Sequence, residues 1–70
     1  MRELRTMKQR LAHAITTSDS RELGHLAELL RLRGLKYHDI FDMAKRAVPG
    51  LDIRDFDGLL YEAGELESTL

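Results

Sequence analysis

The chain has 70 residues, no cysteine and a formal net charge of −1 at pH 7. A chain this short forms at most one small domain, because it buries only about 60% of its unfolded surface on folding. The lack of cysteine excludes a disulfide framework, a thiol nucleophile and a cysteine zinc site. Hydrophobic residues make up 43% and charged residues 33%, which is typical of a folded helical domain rather than of a disordered chain.

No apolar run approaches the roughly 18 residues of a membrane span, and the N-terminal residues MRELRTMKQR lack the apolar stretch of a signal peptide. We therefore expect a cytoplasmic protein that does not associate with membranes.

Charge is unevenly distributed along the chain. Residues 1–46 contain ten Lys or Arg against six Asp or Glu, whereas residues 47–70 contain one Arg against six acids. The basic part could bind phosphate, an acidic partner or the acidic part of a second copy.

Apolar residues recur at intervals of three and four throughout the chain, which predicts helices and no strands. We expect an all-α fold, a compact bundle of four short helices with a loose helix-turn-helix-like arrangement of the last three. Residues 1–70 are predicted to form a single small helical domain, with residues 66–70 as a frayed tail.

The first two helices are predicted to meet at the polar segment TTSDS, residues 16–20. The second helix begins with Asp19 as N-cap and ends before Gly34, a residue suited to a left-handed C-terminal cap. Its apolar face consists of Leu23, Leu26, Ala27 and Leu30. The first helix has a narrow apolar stripe at near-heptad spacing, which favours packing on a single neighbour. This stripe consists of Leu4, Met7, Leu11, Ala14 and Ile15.

The third helix is predicted at residues 37–48 and stops at Pro49, because a proline disfavours helical geometry in the residue before it. The residues that hold it to the core are Ile40, Phe41, Ala44 and Val48. The fourth helix is predicted at residues 53–65, with Asp52 as N-cap and Leu51 and Phe56 as a hydrophobic staple. Its inward stripe is Ile53, Phe56, Leu60 and Ala63.

The segment LDIRDFDG, residues 51–58, has the acid spacing of part of a calcium loop. When Gly58 is aligned with the sixth position of an EF-hand, however, the first and twelfth positions fall on Ile53 and Gly64, which supply no carboxylate. A helix start therefore explains the aspartates better.

The histidines, at positions 13, 25 and 38, lack the spacing of a metal site. The serines, at positions 18, 20 and 68, fall at a helix start and in the tail. We expect no enzymatic activity, metal, cofactor or small-molecule substrate.

A cluster of basic residues surrounds the joint between the second and third helices. Leu32 lies within this cluster, and on a helical wheel it points away from Leu23 and Leu30. An exposed leucine between arginines has two interpretations: an isolated surface leucine, which is common in folded proteins, or a patch that packs on a partner, with arginine as its rim. We call this patch the Leu32 surface, and it consists of Arg31, Leu32, Arg33, Lys36 and His38. The sequence predicts a small protein–protein interaction module, an adaptor, inhibitor or regulatory subunit, that is a homodimer or binds a larger partner.

Two segments suggest a second possibility. GLKYHDIFDMA at residues 34–44 and GLLYEAG at residues 58–64 resemble the helix-turn-helix family in its homeodomain-like form, although the connecting segment VPGLDIRDF is longer than that family uses. The resemblance implies a DNA-binding transcriptional regulator. Affinity for DNA comes largely from cations on phosphate, and the predicted last helix is acidic. Phosphate contacts are therefore expected from Arg31, Arg33, Lys36, Lys45 and Arg46.

Overall fold

The computed structural model describes residues 6–65. It contains four helices, α1 Met7–Thr16, α2 Ser20–Leu32, α3 Tyr37–Ala47 and α4 Ile53–Glu62. These residues include no strand, and the helices pack into a small all-α bundle, as the sequence predicts. The predicted tail at residues 66–70 and Leu4 of the first stripe lie outside the described residues.

Side-chain caps fix where the helices begin. Thr6 caps α1, the Asp19 carboxylate accepts the backbone N–H of Glu22 at 3.1 Å, and the Asp52 carboxylate accepts the backbone N–H of Arg54 at 2.8 Å. Each cap satisfies one of the N–H groups that the first turn of a helix leaves without a partner. The predicted caps at Asp19 and Asp52 are confirmed, and LDIRDFDG is the start of α4.

A residue in the left-handed backbone conformation follows each of three helices and ends it. Ser18, Gly34 and Gly64 follow α1, α2 and α4 with φ angles of 54°, 96° and 81°. In each case the next residue donates its N–H back into the last turn, as in the 3.1 Å bond from Leu35 to the carbonyl of Leu30. This is the Schellman arrangement. Because of this arrangement, α4 ends at Glu62, three residues before the predicted end at residue 65.

The end of α3 is set by a tight turn. Gly50 has a φ angle of 89° and follows Pro49, and the N–H of Leu51 donates to the carbonyl of Val48 at 3.0 Å. Proline followed by a left-handed glycine is the sequence pattern of a type II turn. The predicted stop at Pro49 is confirmed, with α3 ending one residue earlier than expected, at Ala47.

The core lies where α2 contacts the other three helices. Because α1 packs against both α2 and α3, its apolar stripe does not serve a single neighbour as predicted. Phe56 from α4 is fully buried, and its ring centroid lies 5.9 Å from that of Tyr37 and 5.2 Å from that of Phe41. The buried side chains are Leu11, Ala14, Ile15, Leu23, Leu26, Ala27, Leu30, Ile40, Ala44, Phe56 and Leu60.

Ile53 is not part of the inward face of α4, in contrast to the prediction. It is 46% exposed, because it is the first residue of the helix and lies at the edge of the bundle. Leu51, before the N-cap, is half-buried against the core there. Toward the other end of α4, Ala63 is half-buried against Gly24 of α2.

Candidate functional site

The Leu32 surface lies where the chain leaves α2 and enters α3. Leu32 is 80% exposed, and the neighbouring side chains of Arg31 and Arg33 are exposed as well. Leu30, two positions earlier, is buried, so the orientation of Leu32 away from the core is confirmed. The left-handed Gly34 ends the helix immediately after this patch. Leu32 therefore projects from the corner between two helices, where a partner can reach it.

Arg31 is held by an intramolecular ion pair. Its Nη1 lies 2.8 Å from Oε1 of Glu65, and its Nη2 donates to the backbone carbonyl of Glu65 at 3.3 Å. These contacts connect the last turn of α2 to the residues after α4, and they offset the charge of Arg31. The other two predicted cations at this joint, Arg33 and Lys36, are exposed.

Lys36 and His38 lie at the start of α3. The backbone N–H of Lys36 donates to the carboxylate of Asp39 at 3.0 Å, so Asp39 fixes the first turn of α3 while the side chain of Lys36 remains exposed. The side chain of His38 is 74% exposed, and its Nε2 lies 3.5 Å from Oδ1 of Asp39. Both side chains border the joint at which Leu32 projects.

The other two predicted phosphate-contacting residues lie at the opposite end of α3. Lys45 and Arg46 are in its last turn, nine and ten residues after Lys36, which is about 14 Å along a helix axis. The Nζ of Lys45 is 5.9 Å from the centroid of the Phe41 ring. The five cations proposed for DNA contact therefore do not form one cluster, because α3 separates them into two groups.

A second surface feature is a groove of 650 Å³ between the end of α1, the α3–α4 turn and α4. The side chains that line it include the apolar residues Ile15, Val48, Leu51 and Leu59, and the charged residues Asp52, Arg54, Asp55 and Glu62. We call it the acidic groove, because three carboxylates and one guanidinium surround it. The sequence alone did not reveal this groove, since three separate segments form its walls.

Tyr37 and Asp57 form a polar contact that the sequence analysis also missed. The Tyr37 hydroxyl donates to Oδ1 of Asp57, which joins α3 to α4 beside the Phe56 ring. Burial, the hydrogen bond and the negative charge of Asp57 raise the pKa of Tyr37 to about 12. Twenty residues separate the two side chains, so no local spacing could have indicated the pair. The raised pKa keeps the Tyr37 hydroxyl protonated to a higher pH than an ordinary tyrosine, whose pKa is about 10.

Within residues 6–65, no group of three or more His, Asp or Glu side chains is placed to hold a metal ion. None of α1 to α4 has the length and apolar character needed to cross a membrane. Comparisons with protein-family models, curated proteins and solved structures found no match. Functional conclusions therefore depend on the two surfaces of the molecule itself, the Leu32 surface and the acidic groove.

Proposed function

We propose that the protein is a small non-enzymatic protein–protein interaction module, an adaptor, inhibitor or regulatory subunit, that binds a second copy or a larger partner through the Leu32 surface. The observation that carries this proposal is the 80% exposure of Leu32. Transferring a leucine side chain from water into an apolar recess gains roughly 1.5–3 kcal/mol. Such a side chain at a helix corner can anchor a small interface.

The residues around Leu32 support a protein partner. Arg33 and Lys36 are exposed cations at the rim of the patch, and an apolar centre with a charged rim is the usual anatomy of a binding surface. A complementary partner has an apolar recess bordered by carboxylates.

The proposal includes a cytoplasmic location, and the absence of cysteine from the sequence suits such a reducing compartment.

The test compares three forms of the tagged protein, wild type, Leu32→Asp and Leu32→Met. Wild type should self-associate in sedimentation velocity or retain a protein when purified from its host. We expect Leu32→Asp to lose this binding while the chain stays folded, because the side chain is outside the core. A carboxylate in the last turn of α2 should lower the melting temperature by only a few degrees. Leu32→Met is the matched control, and it should keep the binding because it preserves an apolar side chain.

Two results would contradict the proposal. One is a monomer that captures no protein in any of the three forms. The other is a captured component that nuclease removes, with binding that falls steeply with salt and is lost in Arg33→Ala and Lys36→Ala. That second result would instead support phosphate contact by the basic residues.

A further inference from the structure

The Leu32 surface and the acidic groove are chemically complementary. The Leu32 surface presents an exposed leucine beside two cations, Arg33 and Lys36. The groove has apolar side chains along its walls and an excess of two negative charges among its charged residues. An apolar side chain entering this groove would bring its neighbouring cations toward the carboxylates, which favours association electrostatically.

A single molecule cannot make this contact with itself. Ser18 lines the groove, and α2 begins two residues later, at Ser20. Leu32 is at the other end of this 13-residue helix, about 18 Å along its axis. Leu32 is 80% exposed and is not among the side chains that line the groove, so it does not enter the groove of its own chain. The complementary surfaces can meet only between two molecules.

We propose that Leu32 of one copy docks into the acidic groove of a second copy, with Arg33 and Lys36 facing the carboxylates of that groove. This inference rests on the proposed function, since it uses the Leu32 surface as the binding element, and it identifies the partner as a second copy of this chain. If each copy docks its Leu32 into the groove of the other, the two contacts form an antiparallel dimer with twofold symmetry. If a pair of copies makes only one of these contacts, further copies can add head to tail.

Gly58 offers a way to block the groove without disturbing the fold. It lies within α4 and lines the groove, and a Cβ added there would have no heavy atom within 4 Å. In Gly58→Lys a long cationic side chain would enter the groove and repel the incoming cations. The matched control is Tyr61→Lys, which adds the same charge to α4 at an exposed side chain that does not line the groove. Gly58→Lys also favours the helix, because glycine is a poor helix residue.

Sedimentation equilibrium of the whole chain tests the inference. We expect Gly58→Lys and Leu32→Asp each to raise the dissociation constant of the dimer by roughly tenfold or more, as the loss of an interface anchor does. Tyr61→Lys should associate as wild type does. A mixture of Gly58→Lys with Leu32→Asp should form a one-to-one complex more tightly than either variant associates with itself, because the first retains a working Leu32 and the second a working groove, so one of the two contacts is intact.

The other outcomes separate this inference from the proposed function. Association of Gly58→Lys at the wild-type level, with Leu32→Asp monomeric, would overturn docking in the groove and leave the Leu32 surface as the binding element. Failure of the mixture to form this tighter complex would also overturn it. If wild type is a monomer but captures a different protein through Leu32, the second copy is not the partner and the proposed function stands. Association that is unchanged in Leu32→Asp would refute both.

Discussion

Ser18 is the one residue other than glycine, among residues 6–65, with a positive φ angle, 54°. A side chain in this left-handed conformation costs about 1–2 kcal/mol relative to the right-handed one, and glycine avoids that penalty. Ser18→Gly should therefore raise the free energy of unfolding by about 0.5–1 kcal/mol, which urea denaturation can measure. Ser20→Gly is the matched control, and it should lower stability because Ser20 is helical. A lower stability in Ser18→Gly would contradict this account of the turn.

The burial of Tyr37 and its hydrogen bond to Asp57 make stability depend on pH in the alkaline range. The pKa of Tyr37 is raised to about 12 in the folded protein, above the ordinary value of about 10 in an unfolded chain. The folded state therefore retains the phenolic proton that the unfolded state loses. This contribution to stability is complete below pH 10 and is lost as the pH rises from about 10 to about 12.

Ultraviolet titration in the Tyr61→Phe background tests this expectation, because Tyr37 is then the single tyrosine. We expect its phenolate to form near pH 12 and, when Asp57→Asn removes the carboxylate charge, at a lower pH. Asp55→Asn is the matched control and should leave the titration of Tyr37 where it was. Ionisation of Tyr37 near pH 10 in the folded protein would contradict both its burial and its hydrogen bond to Asp57.

At the scale of the elements, α2 and α4 approach each other through Gly24. A Cβ added to Gly24 would lie 2.5 Å from the Cβ of Ala63, which is too close for two carbon atoms. Gly24→Ala should therefore destabilise the protein by roughly 1–3 kcal/mol, although alanine is intrinsically the better helix residue by about 1 kcal/mol.

Two further variants make the Gly24 expectation specific. Gly58→Ala is the same substitution in a helix with open space at the Cβ position, and it should raise stability by up to about 1 kcal/mol. Adding Ala63→Gly to Gly24→Ala should recover most of the loss, because it removes the opposing methyl group. If Gly24→Ala and Gly58→Ala change the free energy of unfolding equally in chemical denaturation, close contact between α2 and α4 is contradicted.

The helices were predictable from the sequence because local interactions set their ends. Asp19, Asp52, Gly34 and Pro49 each act on the turn beside them, and the structure places all four as predicted. The predicted end of α4, at residue 65, was three residues too late, although Gly64 is a left-handed glycine like Gly34. The exposure of Leu32 followed from its position on the helical wheel.

Other features depend on how the helices pack, and spacing along the chain contains little information about that. Arg31 was predicted to be part of the partner-binding patch, and its ion pair with Glu65, 34 residues away, was not indicated by the sequence. The contact between Tyr37 and Asp57 and the walls of the acidic groove likewise join separate segments.

At the scale of the whole molecule, Phe56 connects the last helix to the rest of the bundle. It is fully buried, and its ring contacts those of Tyr37 and Phe41 from α3. A domain of this length has a free energy of unfolding of only about 4–10 kcal/mol. Because removing a buried phenylalanine side chain costs roughly 3–5 kcal/mol, one substitution at Phe56 threatens the entire fold.

Phe56→Ala should therefore lower the melting temperature by about 12 °C or more, or leave the chain unfolded at 25 °C. Phe41→Ala is the matched control, and it should cost less because its ring is only partly buried. Circular dichroism at 222 nm during heating measures both. Loss of one quarter of the helical signal, followed by a second transition at the wild-type temperature, would show that α4 unfolds independently of α1 to α3. A single cooperative transition at a lower temperature is expected instead, because α4 packs against α2 at the centre of the bundle.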